Sequence, residues 1–256
     1  MYIILNDLSS RFPAVFAEAS PLYPRIAPVL ITFGFAVVAW RIHGVTRSGA
    51  IAGALLTYVI YSAAGLGAFA AVVSVFLLAW GATRIGYERK HRMGTAERPE
   101  GRSASQVVAN LGIAAVMAAL YALLSRPAFL IAMAAALAEA AVDTVSSEYG
   151  QATQAESRLI TNWKLVPAGT EGGITWRGTA AGLVAGTCVA GVCTATHIMP
   201  LQALPFAVGA AFLGTVGDSY LGALFERPGG LSNNWVNFLS TVVAAGIAFL
   251  LVNLTS

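Results

Sequence analysis

Charge is in short supply in this chain. Charged residues make up 11% of its 256, against 57% hydrophobic. Soluble domains carry about 25% charged residues, so the polar groups present cannot cover a globule in water. With a mean hydropathy of +0.71, lipid must be the solvent for much of the chain. The net charge of +3 is too small to argue for a nucleic-acid partner. Cysteine is nearly absent. Cys188 and Cys193 lie in an apolar run with no Asp close by and His197 as the one His near them. That excludes a disulfide framework and a thiolate metal cage, and leaves two small core residues. His43, His91 and His197 are scattered at no metal-ligand spacing. Neither a Gly-x-Ser-x-Gly nor a paired-cysteine motif occurs, so nothing supports a hydrolase or redox reading. The first 25 residues have no basic region and an apolar run of only about five residues, and do not read as a secretory signal. Leu5, Leu8, Phe12, Val15 and Phe16 fall near one helical face instead. Residues 1–25 are therefore expected to form a short segment lying in the membrane interface, ahead of a single integral membrane domain over 26–256.

What the chain does have is long apolar runs, at residues 26–42, 48–63, 66–86, 105–124, 128–148, 174–197, 204–225 and 235–254. They predict an all-α, polytopic membrane helical bundle of about seven spans, six to eight, because the first two runs fall short of the ~20 residues a span needs. Gly and Ala are abundant throughout, as helices packing closely in lipid require. With eight spans, 12 of the 15 Lys and Arg fall in loops on one side, and Arg11, Arg25 and Arg126 on the other. The positive-inside rule places the first side in the cytoplasm. Asn110, Asp143, Glu148, Asp218 and Asn237 then sit near the cytoplasmic ends of four helices, while the opposite loops are short and bare. A purely structural membrane protein has no need of that asymmetry.

Residues 137–173 gather the candidate chemistry. An apolar run there acquires Glu139, Asp143 and Glu148 and then enters a polar loop holding Lys164 and a Gly-Thr-Glu-Gly-Gly turn. Asp143 and Asp218 are the centre of the case. Each is followed by a hydroxyl residue and flanked by small ones, and Asp218 lies roughly 10 Å inside the end of its helix at ~1.5 Å rise per residue. An unpaired carboxylate at such depth costs at least ~2.5 kcal/mol, and two at one depth repel. A divalent cation resolves both problems, and oxygen ligands suit Mg²⁺; Asp143, Asp218 and Glu148 are the candidate ligands. The alternative is that each carboxyl is protonated or paired with a basic or amide group. Glu139, one turn before Asp143, has no role that stands out.

The loop K-L-V-P-A-G-T-E-G-G lacks the Gly-Lys-Ser/Thr ending of a Walker A motif. Its glycines still let backbone N–H groups converge on an anion, ahead of a helix whose N-terminus favours negative charge. Gly169, Thr170, Gly172 and Gly173 are the phosphate candidates, with Lys164 as a point charge. An ordinary glycine-rich turn is the competing reading. Arg102, four residues before Gln106, is placed to reach phosphate from a basic loop that otherwise reads as topogenic. Asn110 and Asn237, just inside two helix starts, would join the same metal or nucleotide site, or bond helix to helix.

With these residues laid out, the sequence resembles the integral membrane family of transmembrane protein 19 and the chloroplast phytyl-phosphate kinase. The resemblance runs from about Ile42 onward and is strongest in RIGYERKHRMG, GRSASQVVAN, AVDTVSSEYG, LITNWKLVPAGTEGGIT, GTVGDSYLGALFE and NNWVNFLS. Two departures are mild: Gly214-Thr215-Val216-Gly217-Asp218-Ser219 stands for a family Gly-Ser-x-x-Asp-Ser, and Ser146-Ser147 for Ala-Ser. The resemblance implies a nucleoside-triphosphate-dependent kinase; the expected location is a prokaryotic inner or plasma membrane or its equivalent, with the site facing the cytoplasm by the arginine distribution. The kinase would convert a prenyl monophosphate, phytyl or geranylgeranyl in type, to its diphosphate. CTP is the favoured donor, with GTP or ATP as alternatives, and Mg²⁺ the metal. On that scheme Asp143, Asp218 and Lys164 carry the transfer. A cation-coupled transporter would expect polar residues continuing to the far side, and these are sparse. A lipid-phosphate cytidylyltransferase would use the same groups but release pyrophosphate.

Overall fold

The computed structural model describes residues 23–153 and 156–255. The expected interfacial segment falls on residues 1–22, which lie outside the described residues, and on the first three residues of a helix beginning at Tyr23. Among the described residues eight α-helices follow one another: α1 (Tyr23–Arg41), α2 (Arg47–Arg84), α3 (Tyr87–Met93), α4 (Ala104–Leu124), α5 (Ala128–Ala152), α6 (Trp176–Ala195), α7 (Leu204–Leu221) and α8 (Asn233–Thr255). Six of them are long and apolar enough to cross a membrane. The protein is a polytopic helical membrane protein, as the sequence predicts.

The bundle is built around α5. Every residue from Ala128 to Val142 is buried, and α2, α4, α6, α7 and α8 all pack against it. A helix apolar on all faces belongs at the centre, and the alanines of AFLIAMAAALAEAAV let five neighbours approach closely. The tightest approach is by α6. A Cβ at Gly178, Gly182 or Gly186 would collide with Val142 or Ser146 of α5, so glycine at every fourth position of α6 sets that contact.

Helix α2 has 38 residues, about 57 Å at 1.5 Å per residue, nearly twice a bilayer's ~30 Å core. It folds back at Gly65, whose φ of 82° and ψ of −175° are open only to glycine. Both ends return to the same place. Thr46 caps the start through Gly49 N–H at 3.1 Å, while at the other end Arg84 Nη2 donates to the Ile42 carbonyl at 3.0 Å. At the fold, Tyr61 stacks on Phe69 with centroids 5.6 Å apart. Residues 47–64 and 66–84 are thus the two separate segments that the hydropathy pattern predicts.

Two elements depart from the sequence reading. The basic loop after α2 contains the short helix α3. The polar loop before α6 contains a three-stranded antiparallel sheet of order β2-β1-β3, with β1 (Ser157–Leu159), β2 (Leu165–Val166) and β3 (Gly173–Ile174). Arg158 of β1 sits opposite Leu165 and Ile174. Helix α7 ends in a π-turn over Gly222–Glu226, a device common at functional sites. The segment ahead of α4 is pinned to the α1–α2 turn. Arg102 N–H donates to Gly44 O at 3.1 Å, and Thr46 N–H to Arg102 O at 3.0 Å. Ser103 and Gln106 then close a capping box on α4.

Candidate active site

At the arginine-rich end of the bundle a cavity of about 390 Å³ is lined by α4, α5, α6, α7, α8 and the turn before α6. Asp143 and Asp218, from α5 and α7, both open on it, as do Arg102, Asn110, Glu148, Gly169, Thr170, Gly172, Gly173 and Asn237. Helices that cross the membrane separately therefore deliver at one depth the groups that the sequence places at their ends. Arg102 supplies the positive charge that acts on Asp143. Its Nη1 donates to Thr144 Oγ1 at 3.4 Å, and its Nε stands 3.9 Å from Glu97 Oε2. The Asn110 amide donates to Gln106 O at 2.9 Å.

Several lining atoms are buried yet, among the described residues, lack a hydrogen-bond partner: Asp218 Oδ2, Asn237 Oδ1, Ser146 Oγ and Gln151 Oε1. A buried polar atom left unbonded costs about 1–3 kcal/mol, and four around one cavity mark a place that a polar ligand completes. Asp143 and Asp218 also repel each other. The donor set fits Mg²⁺ of a particular kind. Among the described residues no three acidic, His or Cys groups are placed to cage an ion. An ion carried on phosphates, however, needs only one or two protein carboxylates. Asp143, Asp218 and the Asn237 oxygen would supply that hold.

Glu148 departs from the ligand reading. It lines the cavity, but its Oε2 is bound by Lys90 Nζ. Lys90 is fully buried, at 0% exposure, and also donates to Ala82 O at 3.2 Å and Thr83 O at 2.9 Å. The pair staples α3 and the end of α2 to α5. Nothing in the sequence singles Lys90 out from the other cations of its loop.

Lys164 is not brought to the site. It is exposed in the turn between β1 and β2 and lies outside the cavity lining. There its N–H donates to Asn162 Oδ1 at 3.1 Å and its carbonyl accepts from Leu159 N–H at 2.9 Å. The glycine turn lines the cavity in a different manner from an anion nest. Thr170 N–H donates to Pro167 O and Gly173 N–H to Thr170 O, at 3.2 and 2.8 Å, so these two N–H groups are committed within the turn. The N-terminus of α6 is capped by Thr175, which accepts from Gly178 N–H at 3.0 Å. Gly172, at φ 74°, lies so close to α7 that a Cβ would stand 2.7 Å from Ser219 O. The turn also carries Glu171 to the cavity, where burial pushes its carboxyl above the usual range; it faces Glu226 of the π-turn.

Glu139 is absent from the lining and 1% exposed. The hydroxyls of Thr215 and Ser240 face its carboxyl, and Gly214 makes room for it, since a Cβ there would lie 2.8 Å from Glu139 Cγ. Among the described residues its Oε1 has no partner.

Known proteins place this arrangement in a family. The integral membrane protein family DUF92 matches over residues 30–245. Protein VTE6, chloroplastic, of Arabidopsis thaliana is 32% identical over 262 aligned residues, covering 97% of this chain and 74% of that protein. An uncharacterized membrane protein of Methanocaldococcus jannaschii is 30% identical over 223, covering 87% and 92%. Protein PGR of Arabidopsis thaliana is 29% identical over 277, covering 89% and 96%. No solved structure matches the chain. A family match across most of the sequence, with similarity covering 74% to 96% of these relatives, settles the grouping: the chain belongs to the DUF92 family of integral membrane proteins.

Proposed function

We propose that the protein is a membrane-embedded kinase that transfers the terminal phosphate of a nucleoside triphosphate, CTP by preference, to a prenyl monophosphate. The observation that carries this reading is the meeting of Asp143 and Asp218, from separate spans, in one cavity with Arg102 and unbonded oxygen acceptors. The resemblance to the phytyl-phosphate kinase family supplies the acceptor class and the donor. The excess of Lys and Arg at this end of the bundle supports a site at the cytoplasmic face.

Asp143, Asp218 and the Asn237 carbonyl oxygen hold the metal-bearing end of the triphosphate, and Arg102 neutralises and orients its phosphates. Mg²⁺ carried on the nucleotide would be held by these oxygens and would supply charge neutralisation to the phosphates. The acceptor stays in lipid by its tail and presents its phosphate at the rim. A phosphate monoester loses its second proton near pH 6, so the acceptor oxygen is already a nucleophile. A P–O bond forms from that oxygen to the transferred phosphorus as the bond to the β-phosphate oxygen breaks, and the nucleoside diphosphate leaves. Alignment and charge neutralisation supply most of the rate. Lys164 has no part in this scheme.

The solid apolar packing of α5 between Ala128 and Val142, interrupted only by Glu139, argues against an ion path through the bundle and hence against a transporter. The test is to incubate the purified protein with prenyl phosphates and labelled CTP, GTP or ATP. The kinase reading expects prenyl diphosphate plus a nucleoside diphosphate. Released pyrophosphate instead would make it a cytidylyltransferase, and no nucleotide turnover at all would end the proposal.

A further inference from the structure

A second cavity, of about 370 Å³, opens at the same end of the bundle and shares Glu97 and Arg102 with the first. Its character is different. Phe76, Trp80 and Tyr87 line it with His43, Arg84 and Arg98. Its edge is built of close backbone: a Cβ on Gly101, at φ 86°, would lie 2.5 Å from the Gly44 carbonyl carbon. One face of Trp80 is covered by the Arg84 guanidinium, 3.8 Å from the ring centroid. Trp80 Nε1 is tied to Ile42 O at 3.4 Å, so that ring is fixed. Tyr87 stands at the start of α3, stacked on His91 at 6.0 Å. Glu97, the one acid in this lining, accepts from Gln106 Nε2 at 3.0 Å and from Arg98 N–H at 3.1 Å.

We infer that this second cavity receives the base and sugar of the nucleoside triphosphate whose phosphates occupy the first. The inference rests on the kinase reading and extends it. A molecule spanning both cavities passes Arg102, so the cation at the junction meets phosphate while the aromatic rings lie beyond it. A bare phosphate has no face to stack on aromatic walls, whereas a nucleobase does and binds tighter for it. The volume falls within the range of about 300–1,000 Å³ usual for small-ligand sites. The N–H donors of His43 and Arg98 on its edge suit the carbonyl and ring-nitrogen acceptors that bases present.

The experiment compares binding of CTP, GTP and ATP with binding of inorganic tripolyphosphate, which has no base, to the full chain in lipid nanodiscs. Wild type is expected to bind its preferred nucleotide about tenfold or more tighter than tripolyphosphate. Tyr87→Ala should remove most of that advantage and leave tripolyphosphate binding unchanged, which also shows that the protein is folded. Tyr87→Phe should keep the advantage. His43→Ala, on an exposed loop, should reduce it without touching the bundle. Arg102→Ala should weaken nucleotide and tripolyphosphate together. Equal binding of nucleotide and tripolyphosphate by wild type, or an unchanged ratio in both Tyr87→Ala and His43→Ala, overturns the base pocket and leaves the kinase reading standing. Failure of wild type to bind any triphosphate overturns both.

Discussion

Glu148 and Asp218 are acids on two different helices that line the same cavity, yet their surroundings are opposite. Glu148 has a dedicated cation, Lys90, which is itself fully buried and bonded to two carbonyls at the end of α2. Asp218 has a buried oxygen without a partner among the described residues, and acids for neighbours. The first arrangement is complete within the chain and belongs to the fold. The second is incomplete, and it faces the cavity. Burial alone therefore does not mark a site; an acid that lacks a partner and also opens on a cavity does.

The comparison breaks most severely at Asp218. Asp218→Asn keeps shape and removes charge, so turnover should fall on the order of 10³-fold, in line with losing a preorganised charge contact to the transition state, while the thermal midpoint holds or rises because a repelling carboxylate is gone. A folded variant with near-normal turnover would remove Asp218 from the site. Lys90→Met tests the opposite member. It leaves Glu148 buried and unpaired, and stability should drop by about 3–5 kcal/mol, read by thermal unfolding in detergent. The double change Lys90→Met with Glu148→Leu should recover most of that loss, since a buried ion pair replaced by apolar groups is often close to neutral. If the double variant fares no better than the single one, Lys90 acts through its carbonyl bonds rather than through Glu148.

How much of this was readable in advance follows from the same contrast. Charge inside an apolar run is conspicuous, so Asp143 and Asp218 stood out, and the arginine distribution put them at one depth before any coordinates. Helix limits are legible for the same reason: the loop arginines interrupt hydropathy sharply. Lys90 was hidden because it is one of several cations in its loop, and its burial depends on α3, whose seven residues are too few for periodicity to show. Strands of two or three residues carry no alternation either. Lys164 is a candidate by its nearness in sequence to the glycine turn, but the β1–β2 turn leaves it on the surface, a consequence of pairing that spacing cannot express. The second cavity joins residues from the α1–α2 turn, the end of α2, α3 and the segment before α4, and no local pattern links those.

Glu139 sharpens the contrast from a third position. It has an unpartnered oxygen like Asp218 but, like a core residue, stands outside the lining. With a prenyl phosphate acceptor no base is needed, so Glu139→Gln should change turnover by less than about threefold, given that proton transfer by a positioned base is worth about 10²–10⁴-fold where it operates. An alcohol acceptor would feel the change more. A large loss with the phosphate acceptor would make Glu139 a participant and overturn the base-free scheme.

The smallest effect belongs to Glu171, an acid at the cavity that lies outside the spans. Burial raises its carboxyl above the usual range, so between the unfolded and folded values the folded protein holds the proton more tightly. Stability then falls as pH rises from the ordinary carboxylate range through the raised value, and is flat above it. Because the group is partly exposed, the slope should be shallow. Glu171→Gln should flatten it, leaving the variant indistinguishable from wild type at low pH and slightly more stable at neutral pH. The slope of thermal midpoint against pH in the two proteins checks this. An unchanged slope would mean that solvent reaches Glu171 freely and that its burial at the cavity has no energetic weight. A slope of opposite sign would mean that a cation already serves it, which would move Glu171 from the company of Asp218 to that of Glu148.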